Sequence, residues 1–541
     1  MELFLLNLGI KPVFYESAFN KYYEEAVFEN KALEDFKPDI IYLHTTHKNI
    51  TRYPRLKETP EEISSLLQHE EQRYTHIWSS LLHYNCPIIQ NNFDYPQYRI
   101  LGNLDNSDPH GRINYINRLN GFFSDQAQKR SNLYIHDINY LAASLGLNQW
   151  FDKQLWYSAR YALSYEAIPY LAQSLAALIG SLLGIAKKAL VLDLDNTCWG
   201  NQIGEEGIEG IALGSDSAEA EVYTEFQHYL KLLKERGIIL AVCSKNNVEQ
   251  AKAGFKHPDT VLTEDDFATF TANWEPKDKN LAQIANSLNL HLDSLVFIDD
   301  NPAERQLIAD SHPEVRVPNI GSNAINFIEH IDRNYYFETA GLSIEDLNRH
   351  DFYQRRLAKS QDEKHYPDYG AYLDSLSMTA EIHPFSAPYW PRITQLINKT
   401  HQFNLTNKLF TLTEIERIST NPNYLNLYGR LADLYGDHGL IAALIARIEN
   451  KECHIDSWLM SCRVFNRTME QAMLDTLVKQ CHSLGVIRLI GYYYPTPKNS
   501  VVADLYQDFG FTLKQNLITY SVWELDLNDY RSQSHHIRIN Q

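Results

Sequence analysis

Three aliphatic runs dominate the middle of the chain: ALVLDL (189–194), GIILAVCS (237–244) and SLVFIDD (294–300). Between them lie two segments with apolar residues at helical spacing, VYTEFQHYLKLLKERG (222–237) and KNLAQIANSLNL (279–290). Short aliphatic runs without polar alternation fit strands buried on both faces. Strands that alternate with helices imply a parallel, doubly wound α/β sheet. Ligands bind such sheets at the carboxyl ends of the strands. Here those ends carry Asp193 and Asp195, Ser244, and Asp299 with Asp300.

Asp193 and Asp195 flank Leu194, which points to the opposite face of the strand, so both carboxylates face one spot. They repel each other unless something positive lies beside them. A hard divalent cation such as Mg²⁺ meets that need, because it takes oxygen ligands and keeps water and phosphate oxygens in its shell. Later segments supply matching groups. The Ser244 hydroxyl and its neighbouring amides suit a phosphoryl oxygen. Lys277, in NWEPKDKN, stands just before a helix as a fixed cation, and Asp299 and Asp300 add oxygen ligands. Each residue also fits a plainer role: Ser244 as a helix cap, Lys277 as a solvated lysine, the aspartates as turn residues. Together, and in this order, they describe a carboxylate nucleophile with charge screening and a nearby acid, the requirements of phosphoryl transfer.

The whole chain has 541 residues, too many for one core, and about three domains are expected. Residues 1–180 read as an α/β domain, with strands at PDIIYLH (38–44) and CPIIQNNF (86–93) and a strand then helix in SNLYIHDINYLAASLG (131–146). Residues 186–335 hold the doubly wound unit, 336–378 a polar helical linker, and 379–541 an α+β unit. The net charge of −19 counts against nucleic-acid binding. No apolar run approaches the roughly 20 residues of a membrane span, and the start, MELFLLNLGIKPVFYES, lacks a basic leader region, so a cytoplasmic protein without membrane insertion is expected. The six cysteines form no close pair, which suggests neither a zinc site nor a disulfide framework.

The order DxDxT, Ser, Lys, DD resembles the haloacid dehalogenase (HAD) superfamily. The longer stretches LDLDNTCWGNQIGEEGIEGIALG (192–214), SKNN (244–247), NWEPK (273–277) and FIDDNPAER (297–305) are similar to its FkbH-like branch. The resemblance implies that Asp193 takes the phosphoryl group while Asp195 protonates the leaving oxygen and then activates water. It also implies that Mg²⁺ is held by Asp193, the Asp195 backbone carbonyl, and Asp299 or Asp300. Thr197 and Asn246 fall among the substrate-binding positions. The branch usually reads LWGG after the aspartates, followed by an acidic, glycine-rich flap; this chain has Cys198, Trp199, Gly200 and Asn201. The intervals between Asp193, Ser244 and Lys277 leave no room for a large cap domain, and an open site suits a substrate carried on a protein.

The resemblance continues through LINKTHQFNLT (396–406), DLYGDHGLIA (433–442), SWLMSCRVFNRTMEQAML (457–474) and PTPKNSVVADLYQDFGF (495–511), which are similar to the FkbH-like C-terminal domain of GNAT-like acyltransferase fold. An acyltransferase carries a glycine-rich pyrophosphate loop where this chain has CRVFNRTME, without glycine, which argues against ordinary acetyl-CoA use. Arg463, Arg467 and Lys498 remain as phosphate-binding candidates.

The family role is to convert 1,3-bisphosphoglycerate into a glyceryl thioester on a phosphopantetheinylated acyl carrier protein. Cys462, beside Arg463, is the candidate thiol for that transfer, with a buried strand cysteine as the alternative. Lys399, Thr400, Gln402, Asn404 and Asn499 are candidates for lining the acyl site. His401 and His438 depart from the family pattern. The N-terminal domain is similar to SGNH hydrolases but has no Gly-Asp-Ser turn, so esterase activity is not expected. Scaffolding or carrier docking is the expected role there, with His44, Asn91 and Asn92 at strand ends either as site residues or as polar strand closures. The basic run FYQRRLAKS (352–360), with Arg355, Arg356 and Lys359, reads as a docking patch or a solvated helix face. These features lead to a Mg²⁺-dependent glyceryl transferase/phosphatase acting on a phosphorylated small molecule. A plain HAD phosphatase and a non-catalytic carrier-binding protein are the alternatives.

Overall fold

The computed structural model describes every residue except 350–352, 354–367, 435, 462, 463, 466, 497, 533, 534 and 541. Packing gathers residues 1–180 with 410–418 into one compact unit, and 181–409 with 419–541 into another.

In the first unit β1 (Ile41–Leu43), β2 (Ile88–Asn91) and β3 (Leu133–His136) form a parallel sheet in the order β1-β2-β3. The long crossover helix Pro60–Leu81 starts on a capping box: Thr59 accepts from the Glu62 amide, Glu62 returns the bond, and Pro60 occupies the first turn. Its buried face presents Ile63, Leu67, Tyr74, Ile77 and Trp78 at helical spacing, the last four of them built into the core behind the strands together with Phe93 and Phe123. The polar strand ends close the structure. Asn91 is wholly buried and accepts from the Thr45 amide at 2.7 Å. Asn92 donates to Asp137 at 2.7 Å, and His44 contacts the Tyr42 hydroxyl at 3.0 Å, with burial pushing its pKa down.

In the second unit β4 (Ala189–Leu192), β5 (Ile239–Ser244), β6 (Thr269–Ala272) and β7 (Leu295–Ile298) form a parallel sheet in the order β6-β5-β4-β7. Every residue of β4, β5 and β7 is buried, which is why those runs are so evenly aliphatic. The edge strand β6, TFTA, is only half-buried and carries no aliphatic signature. The helices Ala218–Glu235, capped by Ser217, and Lys277–Leu288 flank the sheet.

Between β4 and the first of these helices the chain makes a short flap rather than a domain. Gly200 and Ala212 exchange backbone hydrogen bonds of 3.2 and 2.9 Å at its base. Asn201 stands there at φ 68°, in the left-handed region that asparagine tolerates better than most residues, which explains how it can replace the usual glycine. Its amide N–H is fixed by the Asn196 side chain at 3.0 Å.

Beyond the linker, of which the short helices Ile344–Leu347 and Tyr369–Ser375 are described, the chain builds the expected α+β architecture. The basic run 352–360 lies outside the described residues, apart from Tyr353. The strands are β8 (Met378–His383), β9 (Phe403–Asn404), β10 (Tyr424–Asp433), β11 (Gly436–Glu449), β12 (Glu452–Met460), β13 (Arg488–Tyr493), β14 (Thr512–Asn516), β15 (Ser521–Asp526) and β16 (Ile537–Asn540). Their order is β14-β15-β13-β12-β11-β10-β8-β16, with β9 paired to the end of β12. The helix Met469–Ser483 crosses from β12 to β13, which run parallel only from Glu452–Ile455 against Arg488–Gly491. Past that point they diverge, and the chain's own segment fills the gap: Leu405 donates to Trp458 at 3.2 Å and accepts from the Tyr494 amide at 2.8 Å. No described helix is long and apolar enough to cross a membrane.

Candidate active site

At the carboxyl end of the β4–β7 sheet the chain concentrates acid. Asp193 follows β4, and Asp299 and Asp300 follow β7, with one carboxylate oxygen of each lying within 4.8 Å of the others. At an effective dielectric near 20, unit charges that close repel by about 3 kcal/mol per pair. Lys277 offsets part of this. Its Nζ lies 2.7 Å from Asp193 Oδ2 and 2.6 Å from Asp299 Oδ2. It is the first residue of its helix, where the macrodipole disfavours a cation, and it is only 1 % exposed. Helix stability would not choose a lysine there; the two carboxylates do.

Burial works to push Lys277 down, but Asp193 and Asp299 together hold its pKa above the usual lysine value. Burial and the charge of Asp193 raise Asp299 to about 7 despite Lys277. The same two causes raise Asp300.

Asp195 stands apart from this cluster. Its carboxylate is held by three donors: Trp199 Nε1 at 2.9 Å, the Ile203 amide at 3.2 Å and Asn246 Nδ2 at 3.1 Å. Burial, against the Trp199 and Ile203 hydrogen bonds, keeps its pKa raised. Asn246, read from the sequence as a substrate contact, therefore orients Asp195. Thr197 is fully buried and bridges strand ends: its hydroxyl accepts from the Asp300 amide at 3.3 Å and faces the Asp300 carboxylate at 3.5 Å. Ser244, at the end of β5, is buried, and its carbonyl accepts from the Asn273 amide at 3.1 Å.

Cys198 lies in the core, its thiol donating to the Asp193 carbonyl at 3.2 Å; burial, with Asp193 and Asp195 adding to it, drives its pKa well up. Sequence reasoning gave no role to Trp199 or Arg305. Arg305 donates to the carbonyls of Asp299 and Asp300, both at 2.7 Å, and so fixes the acidic turn. Its place in the first turns of the helix after the DDNP segment was the available signal.

The C-terminal candidates do not join this site. Arg467 is buried and ion-paired with Asp433, and His438 lies 2.8 Å from the same carboxylate. Asn404 and Asn499 place their amides on backbone groups. Asn404 donates to Thr400 at 3.0 Å and accepts from the Asn407 amide at 2.9 Å. Asn499 accepts from the Thr496 amide at 2.7 Å and donates to Asn404 O at 2.9 Å. Thr400 bonds back to Leu396 in its own helix at 2.7 Å. Lys399, Thr400, Gln402 and Lys498 line a separate cavity, and Cys462 and Arg463 lie outside the described residues.

Residues 7–180 match the family described as FkbH, N-terminal domain. Among curated proteins no sequence matches the chain. Of the solved structures, the N-terminal part of BF1531 from Bacteroides fragilis, described as containing a phosphatase domain and complexed with Mg, is 29% identical with a TM-score of 0.58. That match covers 63% of this chain and 89% of the other. The ribosomal-protein-S18-alanine N-acetyltransferase of Escherichia coli matches at 14% identity and a TM-score of 0.22, over 28% of this chain and 94% of that one. The PaiA N-acetyltransferase of Thermoplasma acidophilum, solved with coenzyme A, matches at 15% and 0.22, over 27% and 99%. Residues 7–180 are thus an FkbH N-terminal domain, and with the likeness to a structure containing a phosphatase domain they support an enzyme of the HAD phosphatase/transferase type.

Proposed function

We propose that this protein removes a phosphoryl group through Asp193 and loads the resulting three-carbon acyl unit onto an acyl carrier protein. The observation that carries the reading is the division of labour at one sheet end. Asp193 lies in the acidic cluster against Lys277, while Asp195 is held apart with a raised pKa. An Asp193 oxygen forms the new bond to phosphorus as the bond to the leaving oxygen breaks, and Asp195 gives that oxygen its proton. Asp195 then takes a proton from the water that cleaves the aspartyl phosphate. Lys277 screens Asp193 as negative charge accumulates.

The donor set fits a hard divalent cation: carboxylate oxygens of Asp193, Asp299 and Asp300, close together, with more negative charge than Lys277 offsets. Mg²⁺ bound there supplies charge neutralisation for the phosphoryl oxygens. Binding should be linked to pH. Asp299 titrates near 7, above its unfolded value, so the metal-free folded state holds an extra proton below pH 7 and is destabilised as the pH rises through it. A cation displaces that proton, so Mg²⁺ affinity should fall up to about tenfold per pH unit below 7. Calorimetric Mg²⁺ titrations at pH 8, 7 and 6 measure this directly, and a flat profile would remove Asp299 from the ligand set.

The acyl donor proposed is 1,3-bisphosphoglycerate. With water and a carrier thiol it gives a glyceryl thioester and two phosphates: one released by the thiol attacking the acyl phosphate, the other by hydrolysis at Asp193. Incubation with Mg²⁺ and a phosphopantetheinylated carrier should add a glyceryl mass to the carrier. Phosphate release with an unchanged carrier mass would establish the plain phosphatase instead. That second reading has its own support, since Asn404, Asn499 and Arg467 are committed to holding the C-terminal domain together.

A further inference from the structure

The carboxyl end of the first unit's sheet gathers positive charge. His47 and Lys48 follow β1, Tyr98 follows β2, and Arg112 opens the helix Arg112–Lys129. Trp156 lies in the helix Lys153–Ala159, beyond β3, and Arg160 ends it. Aromatic rings tie these side chains together. Lys48 Nζ stands 4.9 Å from the centre of the Phe151 ring and 4.7 Å from that of Trp156, and Arg160 stands 5.4 Å from the same Trp156 ring. The two charges are therefore at most about 10 Å apart, roughly one Debye length at ordinary ionic strength. Arg112 lies 5.1 Å from the Tyr53 ring and 5.4 Å from that of Tyr98, and it donates to the Tyr98 hydroxyl at 3.1 Å. Tyr53 in turn donates to the His47 carbonyl at 2.7 Å, which joins Arg112 to the Lys48 segment.

The acids of the same segments are already committed. Asp94 is buried and takes His47 Nδ1 at 3.0 Å and Trp150 Nε1 at 3.1 Å; burial works to raise its pKa, and these partners bring it below the usual value. Asp105, also buried, accepts from the amides of Ile100, Leu101 and Ile113. Asp152 caps its helix through the amides of Gln154 and Leu155. Among the described residues Lys48, Arg112 and Arg160 make no ion pair, in a chain where 68 acidic residues outnumber 49 lysines and arginines. Burial lowers the pKa of Lys48 against Tyr98 and Asp94, and the charges of Arg112 and Arg160 lower it further. Arg112 is moreover the first residue of an 18-residue helix whose cap, Gly111, makes no side-chain hydrogen bond. The positive end of that helix disfavours a cation and favours an anion. The ring contacts orient the three cations but neutralise no charge. Folding gains little from gathering them at such an end unless an anion completes the set.

We infer that this end of the first sheet binds a small phosphate ester through Lys48, Arg112 and Arg160. Ligands of open parallel sheets lie beyond the carboxyl ends of the strands. A carboxylate brings one negative charge, whereas a phosphate monoester brings nearly two and three strong acceptor oxygens, a closer match to three cations. The planar guanidinium groups of Arg112 and Arg160 suit bidentate contact with phosphate oxygens, and Lys48 adds a point charge. The inference does not rest on phosphoryl transfer at Asp193, which belongs to the other compact unit.

The test is calorimetric titration of the full chain at fixed ionic strength in EDTA, where the unneutralised acidic cluster at Asp193 repels anions. Glycerol 3-phosphate should bind at one site, at least about tenfold more tightly than acetate. Lys48→Gln combined with Arg160→Gln, both at exposed positions, should weaken that binding by at least about tenfold, the loss of one charge-assisted contact or more. Lys48→Arg combined with Arg160→Lys, which keeps both charges, should bind within about threefold of the original chain. Absence of glycerol 3-phosphate binding, or acetate binding as tight, overturns the inference. So does equal binding by the glutamine double variant with an unchanged circular dichroism spectrum.

Discussion

Asp193→Asn should lower phosphate release on the order of 10⁴-fold while leaving the fold intact. The amide keeps the size of the side chain and its acceptor toward the Leu194 amide, now 2.8 Å from Asp193 Oδ1, but it cannot form the acyl phosphate. Removing one of three clustered charges also relieves repulsion, so the variant's unfolding temperature in EDTA should hold or rise. Loss of activity with retained stability is the signature of a nucleophile; a variant within tenfold of full activity would show that phosphorus is attacked by something else. Phosphate release at saturating Mg²⁺, with parallel thermal unfolding, measures both.

Lys277→Met should have the opposite profile, a stability loss of about 3–5 kcal/mol, because it strips the shared partner from two carboxylates in a dry setting. Asp299 is wholly buried and Lys277 nearly so, so water cannot replace the missing ammonium. The loss should depend on pH. Asp299 already titrates near 7 with Lys277 present, and removing that cation pushes it higher. At pH 5 the carboxyl is neutral in the folded variant and little repulsion remains, whereas at pH 8 the charge must be carried unpaired. Urea unfolding in EDTA at the two pH values should therefore show a larger deficit at pH 8. An equal deficit at both would place the contribution of Lys277 in packing alone.

What the sequence displayed and what it hid follow from the same physics. β4, β5 and β7 were legible because strands covered on both faces must be aliphatic throughout, and their polar ends then stand out. β6 was not, because a half-buried edge strand of Thr and Phe carries no such contrast. The acidic cluster was legible because its members lie at strand ends, where the topology brings them together. The orienting groups Trp199, Ile203 and Asn246 were not, because they act on Asp195 through contacts set by the flap, whose path the spacing does not fix. In the C-terminal domain, polar residues in family-like motifs pointed to an acyl site, yet amides such as Asn404 and Asn499 are equally suited to satisfying buried backbone. Residue type does not separate those two uses; only the bonds do.

The segment Phe403–Leu405 carries a mechanical consequence. It knits two strands that would otherwise part like an opened zipper, joining Trp458 on one side to Tyr494 on the other. Asn499 adds a further tie through the carbonyl of Asn404. Prising this seam open would forfeit several backbone hydrogen bonds at about 1 kcal/mol net apiece and bare the buried side chains of Phe403 and Leu405. Among the described residues, the C-terminal domain is thus laced together by a short third segment along the line where β12 and β13 part.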